Sequence, residues 1–170
     1  RLVLLLLAAS LVMSATLYIC WFALFRKSVS PETSAVAAMR SYCHAQIIYH
    51  REDRDGDGIL EYAKTLKELV DAGLIPAEMA EARGRNGVPY RGYLYLEMKT
   101  IARTSIDWVN DFGLCAIPAR YGETGYRSFI ICTNGTVFPK DQGPKGTFET
   151  DYPADPSATG WWSCGCGDPE

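Results

Sequence analysis

An uncharged, strongly apolar stretch opens the sequence and limits the folds available to it more than any other feature. It runs from residue 2 to residue 25 and reads LVLLLLAASLVMSATLYICWFALF. A helix of this length, rising about 1.5 Å per residue, could cross a hydrocarbon layer roughly 30 Å thick. Arg1 stands before the stretch and Arg26-Lys27 after it. We therefore expect residues 1–30 to form an apolar N-terminal helix long enough to cross a membrane.

A secretory signal peptide is the alternative interpretation of this stretch. Such a peptide has an apolar core of about 7–15 residues and is removed from the mature protein. The stretch here is longer, so we expect it to be retained. The remaining residues, 31–170, are then expected to form an exported globular head.

Composition excludes some partners for this head. The 170 residues suffice for one domain of ordinary size. The formal net charge of −3 gives no sign of a surface for nucleic acid or for an anionic membrane. No specific nucleic-acid partner is therefore predicted.

The cysteines favour disulfide bonds over a metal site. Cys20 lies in the apolar stretch, and the sequence has no Cys-x-x-Cys pair of the kind that zinc sites use. We expect at least one disulfide within the head, with the connectivity left open. The candidates are Cys43, Cys115, Cys132, Cys164 and Cys166.

Helices are predicted in the first half of the head. Ser30 is a good N-cap residue, and Pro31 suits the first helical position, so we expect a helix break at these two residues. An amphipathic helix is predicted over residues 31–50 because apolar residues recur there at helical spacing. A second amphipathic helix is predicted over residues 59–72, where Gly73 is a natural stop.

Strands are predicted in the second half of the head. Residues 91–138 contain alternating apolar runs that indicate an antiparallel meander of three or four strands, the first of them half-buried. The pair Asn134-Gly135 is typical of a tight hairpin turn, followed by a short strand that ends before Pro139. Residues 139–170, rich in Gly, Pro, Asp and Ser, are expected to form a loop-rich tail.

The order of these segments, together with three stretches of the head, resembles the type IV pilin and pseudopilin superfamily. The stretches are LKELVDAGLIP, PYRGYLYLEM and AIPARYGETGYRSFIICTNGTVF, which are similar to bacterial pilin-like proteins with a calcium loop in the head. The resemblance implies an α+β fold. In this fold a long N-terminal apolar helix continues into an amphipathic helix that packs on a small antiparallel sheet.

The sequence DRDGDGILE, at residues 53–61, has the spacing of a calcium loop. Calcium takes six to eight oxygen ligands, and carboxylates at alternate positions of a turning loop converge on one point. Asp53, Asp55 and Asp57 hold the first, third and fifth positions of such a loop. Ile59 would offer its backbone carbonyl, and Glu61 takes the ninth position.

This loop departs from a full EF-hand at its twelfth position, where Lys64 replaces the usual bidentate glutamate. We therefore predict a shortened, structural calcium site in the affinity range of extracellular modules, about 10⁻⁴–10⁻³ M. The alternative is a solvated turn in which Asp57 caps the following helix, with Arg51 and Arg54 offsetting the negative charges.

Two other kinds of candidate site have ordinary structural explanations. His44 and His50 are six residues apart and do not share a helix face, so we predict no catalytic site and no enzyme activity. Asn134-Gly135-Thr136 fits a glycan acceptor, but a hairpin turn accounts for the same residues.

The resemblance to type IV pilins therefore implies a structural subunit of an extracellular filament like a type IV pilus. The apolar helices would be buried among identical subunits, after a stage in the inner membrane and with the help of pilus assembly machinery. One alternative is a pseudopilin of a secretion system. The other is a monomeric, membrane-anchored calcium-binding module.

Overall fold

The computed structural model describes residues 30–162, and the chain divides between Ser30 and Pro31. The helices are α1 (Pro31–Tyr49), α2 (Leu66–Asp71) and α3 (Ala77–Glu81), and a 3-10 turn spans Ser157–Thr159. The strands are β1 (Tyr93–Glu97), β2 (Thr100–Ile101), β3 (Thr104–Ser105), β4 (Gly113–Pro118), β5 (Arg127–Cys132), β6 (Phe138–Asp141) and β7 (Asp151–Tyr152).

These strands form two sheets. The larger sheet is antiparallel in the order β1-β4-β5-β6, and Leu96 lies opposite Cys115 while Cys115 lies opposite Ile130. The smaller sheet has the order β3-β2-β7, with β2 antiparallel to β3 and parallel to β7. The parallel pair brings residues 151–152 back beside residues 100–101 from 51 positions away in the sequence.

The larger sheet is covered on both faces. On one face, Tyr93, Leu114 and Phe129 pack with the buried side of α1. On the other face, Ile130 packs with Trp161 in a second apolar cluster. Successive residues of a strand point to opposite faces, so this double cover explains why β4 and β5 are buried almost continuously.

Our predicted fold class is wrong. The core is mostly β, with two sheets in place of one, and the longest helix within residues 30–162 is the 19-residue α1. No helix in this described part is long and apolar enough to span a membrane. The apolar stretch at residues 2–25, on which the predicted long helix depended, lies outside the described residues.

The helix predicted over residues 59–72 forms only as α2, Leu66–Asp71. Tertiary partners hold the backbone before it: Tyr62 N donates to Trp108 O at 2.7 Å, and Ala63 N donates to Gln46 Oε1 at 2.8 Å. These bonds occupy groups that a helix would need internally, so the helical spacing of the side chains is overridden. Thr65 then caps α2 by accepting from Glu68 N.

The predicted tail also contains regular structure. Strand β6 includes Pro139, although we expected the strand to end before it. Proline is tolerated in an edge strand because no partner strand needs its missing N–H. On that outer edge the Pro139 carbonyl accepts a hydrogen bond from Trp162 N at 3.2 Å. The backbone at residue 162 therefore lies beside β6.

A buried carboxylate fixes the start of α2 over the sheet. Glu97, at the end of β1, is 7% exposed. Its Oε1 accepts from Leu66 N at 2.8 Å, and its Oε2 pairs with Arg83 Nε at 2.7 Å. A buried carboxylate is stable only when it is bonded in this way. The segment before α2, which closes the aspartate loop, is therefore tied to the core.

Candidate functional site

The aspartate loop leaves α1 and returns to it. At its base, the Gln46 side chain bonds both backbone groups of Ala63: Nε2 donates to the carbonyl at 2.8 Å and Oε1 accepts from the N–H at 2.8 Å. Above this clamp the rings of His50 and Tyr62 stack at 4.2 Å between centroids. The two ends of the loop are thus held together independently of what the loop binds.

Within the loop the three aspartates bond the backbone. Asp53 accepts from Gly56 N at 2.8 Å and from Gly58 N at 2.9 Å, one bond to each carboxylate oxygen. Asp57 Oδ1 accepts from Ile59 N at 2.8 Å, and Asp55 Oδ1 accepts from Asp57 N at 3.4 Å. These bonds curl the loop so that its carboxylates point inward.

Two glycines allow this curl. Gly56 and Gly58 have φ of 79° and 85°, in the left-handed region that side chains with a Cβ rarely adopt. Asp53, Asp55 and Asp57 each place one carboxylate oxygen within 4.8 Å of those of the other two, and all three residues are exposed. The sequence therefore identified three residues that the structure brings together.

Backbone hydrogen bonds favour the ionised form of Asp53. The backbone N–H groups of Gly58 and Gly56, in that order, lower the pKa of Asp53 below its usual value. Arg54 pairs with Glu52 at 2.7 Å and lies over the Tyr49 ring, 4.6 Å from its centroid. Arg54 therefore forms its ion pair with Glu52 rather than with an aspartate of the loop.

The other two predicted ligands, Ile59 and Glu61, are not part of the aspartate cluster. Ile59 is in the loop, with its side chain 49% exposed and its N–H bonded to Asp57. Glu61 is paired with Lys64, with 2.7 Å between Oε2 and Nζ. A cavity of about 270 Å³ lies beside the loop, and its lining includes Asp55, Ile59, Glu61 and Lys64.

The donor groups are of the chemical type that calcium binds. All the available groups are carboxylate or carbonyl oxygens, which a hard cation such as calcium prefers, and no imidazole or thiolate belongs to the cluster. Asp53, Asp55 and Asp57 would hold the ion, and the Ile59 carbonyl and Glu61 would complete the set.

The cysteines within residues 30–162 are free thiols. Cys43, Cys115 and Cys132 are all buried, while Cys164 and Cys166 lie outside the described residues. Cys115 lies opposite Ile130 and Cys132 opposite Gly113, so these two are diagonal neighbours in the sheet. Diagonal positions are farther apart than the Cβ separation of about 3.5–4.5 Å that a disulfide requires.

The other predicted positions lie away from the loop or at its base. Pro31 is the first residue of α1, preceded by Ser30. Asn134 is exposed in a turn, where its Oδ1 accepts from Thr136 N at 2.8 Å. His44 is exposed on α1, whereas His50 Nε2 bonds the Val109 carbonyl at 2.9 Å.

Sequence reasoning missed Gln46, which organises the base of the loop. It is fully buried, and its amide bonds Tyr42 Oη at 2.9 Å as well as Ala63. The only signal in the sequence is a polar residue among the apolar ones of an amphipathic helix. Its partner lies 17 residues away, beyond the reach of helical spacing.

Comparison with known proteins gives one match. Residues 72–156 match the family described as "Protein of unknown function (DUF2950)". No curated protein and no solved structure matches significantly. The matched segment begins after the aspartate loop and runs from the end of α2 to beyond β7. It covers half of the chain, which therefore belongs to the DUF2950 family.

Proposed function

We propose that this chain is a structural protein of the cell surface whose folded unit binds calcium at residues 53–61. The observation that carries the proposal is the convergence of three aspartate oxygens within 4.8 Å of one another. Unpaired carboxylates at this separation repel each other, and a divalent cation converts that repulsion into attraction. The role of calcium is to stabilise the loop against the rest of the unit.

Two buried thiols and one held imidazole support a structural role rather than a catalytic one. Burial raises the pKa of Cys115 to about 12, and burial also raises that of Cys43. The thiolate is the nucleophilic form of cysteine, so both groups are unreactive near neutral pH. His50 is held by its stack on Tyr62 and by the Val109 carbonyl.

Calcium should therefore raise the melting temperature of the protein, and Asp55→Ala should abolish that rise. A ligand present at ten times its Kd stabilises by about 1.4 kcal/mol, which corresponds to roughly 3–5 °C for a domain of this size. The measurement is thermal unfolding followed by circular dichroism, in 10 mM calcium and in chelator. Asp71→Ala is the matched control, because Asp71 is an exposed aspartate paired with Lys67.

The Asp71→Ala variant should show the same rise in melting temperature with calcium as the wild type. An equal melting temperature of the wild type with and without calcium would rule out the stabilising role and leave the loop as a solvated turn.

Assembly into a pilus-like filament is the second function we propose. The uncharged stretch at residues 2–25 favours it, because a segment that is apolar on all sides must be buried in lipid or in protein. Burial among identical subunits around a common axis would give an open helical assembly. Its partners would be identical subunits, the pilus assembly machinery and, before assembly, the inner membrane. A pseudopilin of a secretion system would use the same contacts in a shorter assembly.

Imaging of sheared cell-surface material tests this second proposal. We expect thin fibres that bind an antibody raised against the folded unit and that are absent when the chain is deleted. Recovery of the chain only as a detergent-extracted monomer would contradict polymerisation, and would favour the membrane-anchored calcium-binding module.

A further inference from the structure

Two loops of the folded unit meet at the start of α1. The first loop spans residues 88–92, before β1, and the second spans residues 119–126, between β4 and β5. A Cβ atom on Gly92 would lie 3.2 Å from the Cβ atoms of both Pro31 and Thr124. Each loop therefore approaches the residue at which the chain enters the folded unit.

Glu32, in the first turn of α1, ties the second loop to the helix. Its Oε1 accepts from Tyr126 N at 2.8 Å and from Arg127 N at 3.2 Å. The Tyr126 ring packs edge-to-face with the Tyr121 ring, with 5.4 Å between centroids. Tyr126 is nevertheless 56% exposed. A large aromatic side chain is thus presented to solvent beside the start of α1.

The first loop presents an apolar side chain and a cation. Val88 is 67% exposed, and Arg91 is exposed with its guanidinium 5.0 Å from the centroid of the Tyr90 ring. None of the ion pairs within residues 30–162 includes Arg91. An exposed apolar patch with tyrosine and arginine suits a boundary that is apolar on one side and carries phosphate groups on the other.

The sequence before Pro31 indicates which boundary this end of the unit faces. Residues 2–25 are uncharged and long enough to cross a hydrocarbon layer, and Arg26-Lys27 follow them. The chain from residue 25 to residue 31 spans at most about 20 Å, even when fully extended. A membrane that holds the apolar stretch therefore keeps the start of α1 near its surface.

We propose that the first loop, the second loop and the start of α1 together rest on the headgroup layer of a phospholipid bilayer. This inference rests on the proposed stage of the chain in the inner membrane. Tyr126 and Val88 enter the boundary between headgroups and acyl chains, where amphipathic aromatic side chains are favoured. Arg91 pairs with a lipid phosphate, which accepts two parallel hydrogen bonds from a guanidinium.

Quenching of tryptophan fluorescence by lipids brominated near the headgroup end of their acyl chains tests the inference. The full chain is placed in vesicles of phosphatidylcholine and phosphatidylglycerol, and Tyr126→Trp and Val88→Trp each put a reporter on the proposed surface. Ile47→Trp is the matched control, because Ile47 is 44% exposed and lies about 24 Å along α1 from Pro31 at 1.5 Å per residue. Subtraction of the wild-type signal removes the native tryptophans, and circular dichroism verifies that each variant folds.

The two reporters should lose at least about half of their added fluorescence in brominated lipid, since a side chain at this boundary lies within roughly 5–10 Å of the bromine atoms. The Ile47→Trp reporter should lose less than about a tenth, because it lies beyond the headgroup layer. The emission of the two reporters should also shift to shorter wavelength relative to that of the control.

The outcomes separate this inference from the proposed membrane stage. Failure of the wild type to float with the vesicles in a density gradient would overturn both. Flotation with equal, unquenched fluorescence from all three reporters would overturn the inference and leave the membrane stage standing. A shift to shorter wavelength without quenching would also overturn it, because a second copy of the chain, and not lipid, would then cover this surface.

Discussion

Replacing Phe129 by alanine is expected to lower the free energy of unfolding by about 3–5 kcal/mol. Phe129 is 2% exposed in β5 and faces the side of the larger sheet that α1 covers. Its ring lies 5.7 Å from that of Tyr93, between centroids. Alanine would leave a cavity between the sheet and the helices that neighbouring side chains fill only in part. Chemical denaturation followed by circular dichroism measures the loss.

The next residue along β5 tests whether the opposite face of the sheet is equally buried. Ile130→Ala should cost about 2–5 kcal/mol, because Ile130 is fully buried in the second cluster. Tyr126→Ala, just before the strand, is the control, since Tyr126 is 56% exposed. The control should cost less than about 1 kcal/mol. A small loss for either Phe129→Ala or Ile130→Ala would contradict the double cover of the sheet.

Gln46→Leu is expected to cost about 2–5 kcal/mol, although leucine is similar in size and more apolar. The substitution removes the partners of both backbone groups of Ala63, in a buried place where water cannot replace them. Each buried polar group left without a partner costs about 1–3 kcal/mol. Because Gln46 closes the base of the aspartate loop, hydrogen exchange should also quicken over residues 50–63.

A substitution on the exposed side of α1 controls for effects on the helix itself. Arg40→Leu should change the free energy of unfolding by no more than about 0.5 kcal/mol and leave exchange in the loop unaltered. If Gln46→Leu proved equally mild, the clamp would contribute nothing to the closure of the loop.

Local patterns explain which elements could be predicted from the sequence. The alternation in YLYLE and the continuous runs in GLCAIP and RSFIIC located β1, β4 and β5. Alternation could not show that both faces of the sheet are covered, because the covering residues come from distant segments. The parallel pairing of β2 with β7 depends on two strands of two residues each, too short to leave a pattern.

Helical spacing predicted a helix correctly only where tertiary hydrogen bonds did not hold the backbone in another conformation. Residues 59–65 have helical spacing, but bonds to Gln46 and Trp108 hold them in another conformation. In α1, apolar spacing would suggest that Ile47 is buried, yet it is 44% exposed because the buried side runs through Tyr42 and Gln46. A buried glutamine and an exposed isoleucine both reflect tertiary contacts that one sequence does not display.

The proximity of the three aspartates could be predicted from the sequence, but the surroundings of the cluster could not. The spacing of Asp53, Asp55 and Asp57 was sufficient to group them, since loop positions two apart must converge when the chain turns at glycine. Glu61 and Lys64 have the i, i+3 spacing at which a helix also pairs charges, but here the ion pair forms on backbone that is non-helical up to Thr65.

Equilibrium dialysis of the full chain against calcium measures whether the aspartate loop binds the ion. We expect one bound calcium per chain at millimolar free calcium, and none when Asp53, Asp55 and Asp57 are all replaced by asparagine or alanine. No bound calcium in the wild type at 10 mM, or equal binding by the triple variant, would contradict it.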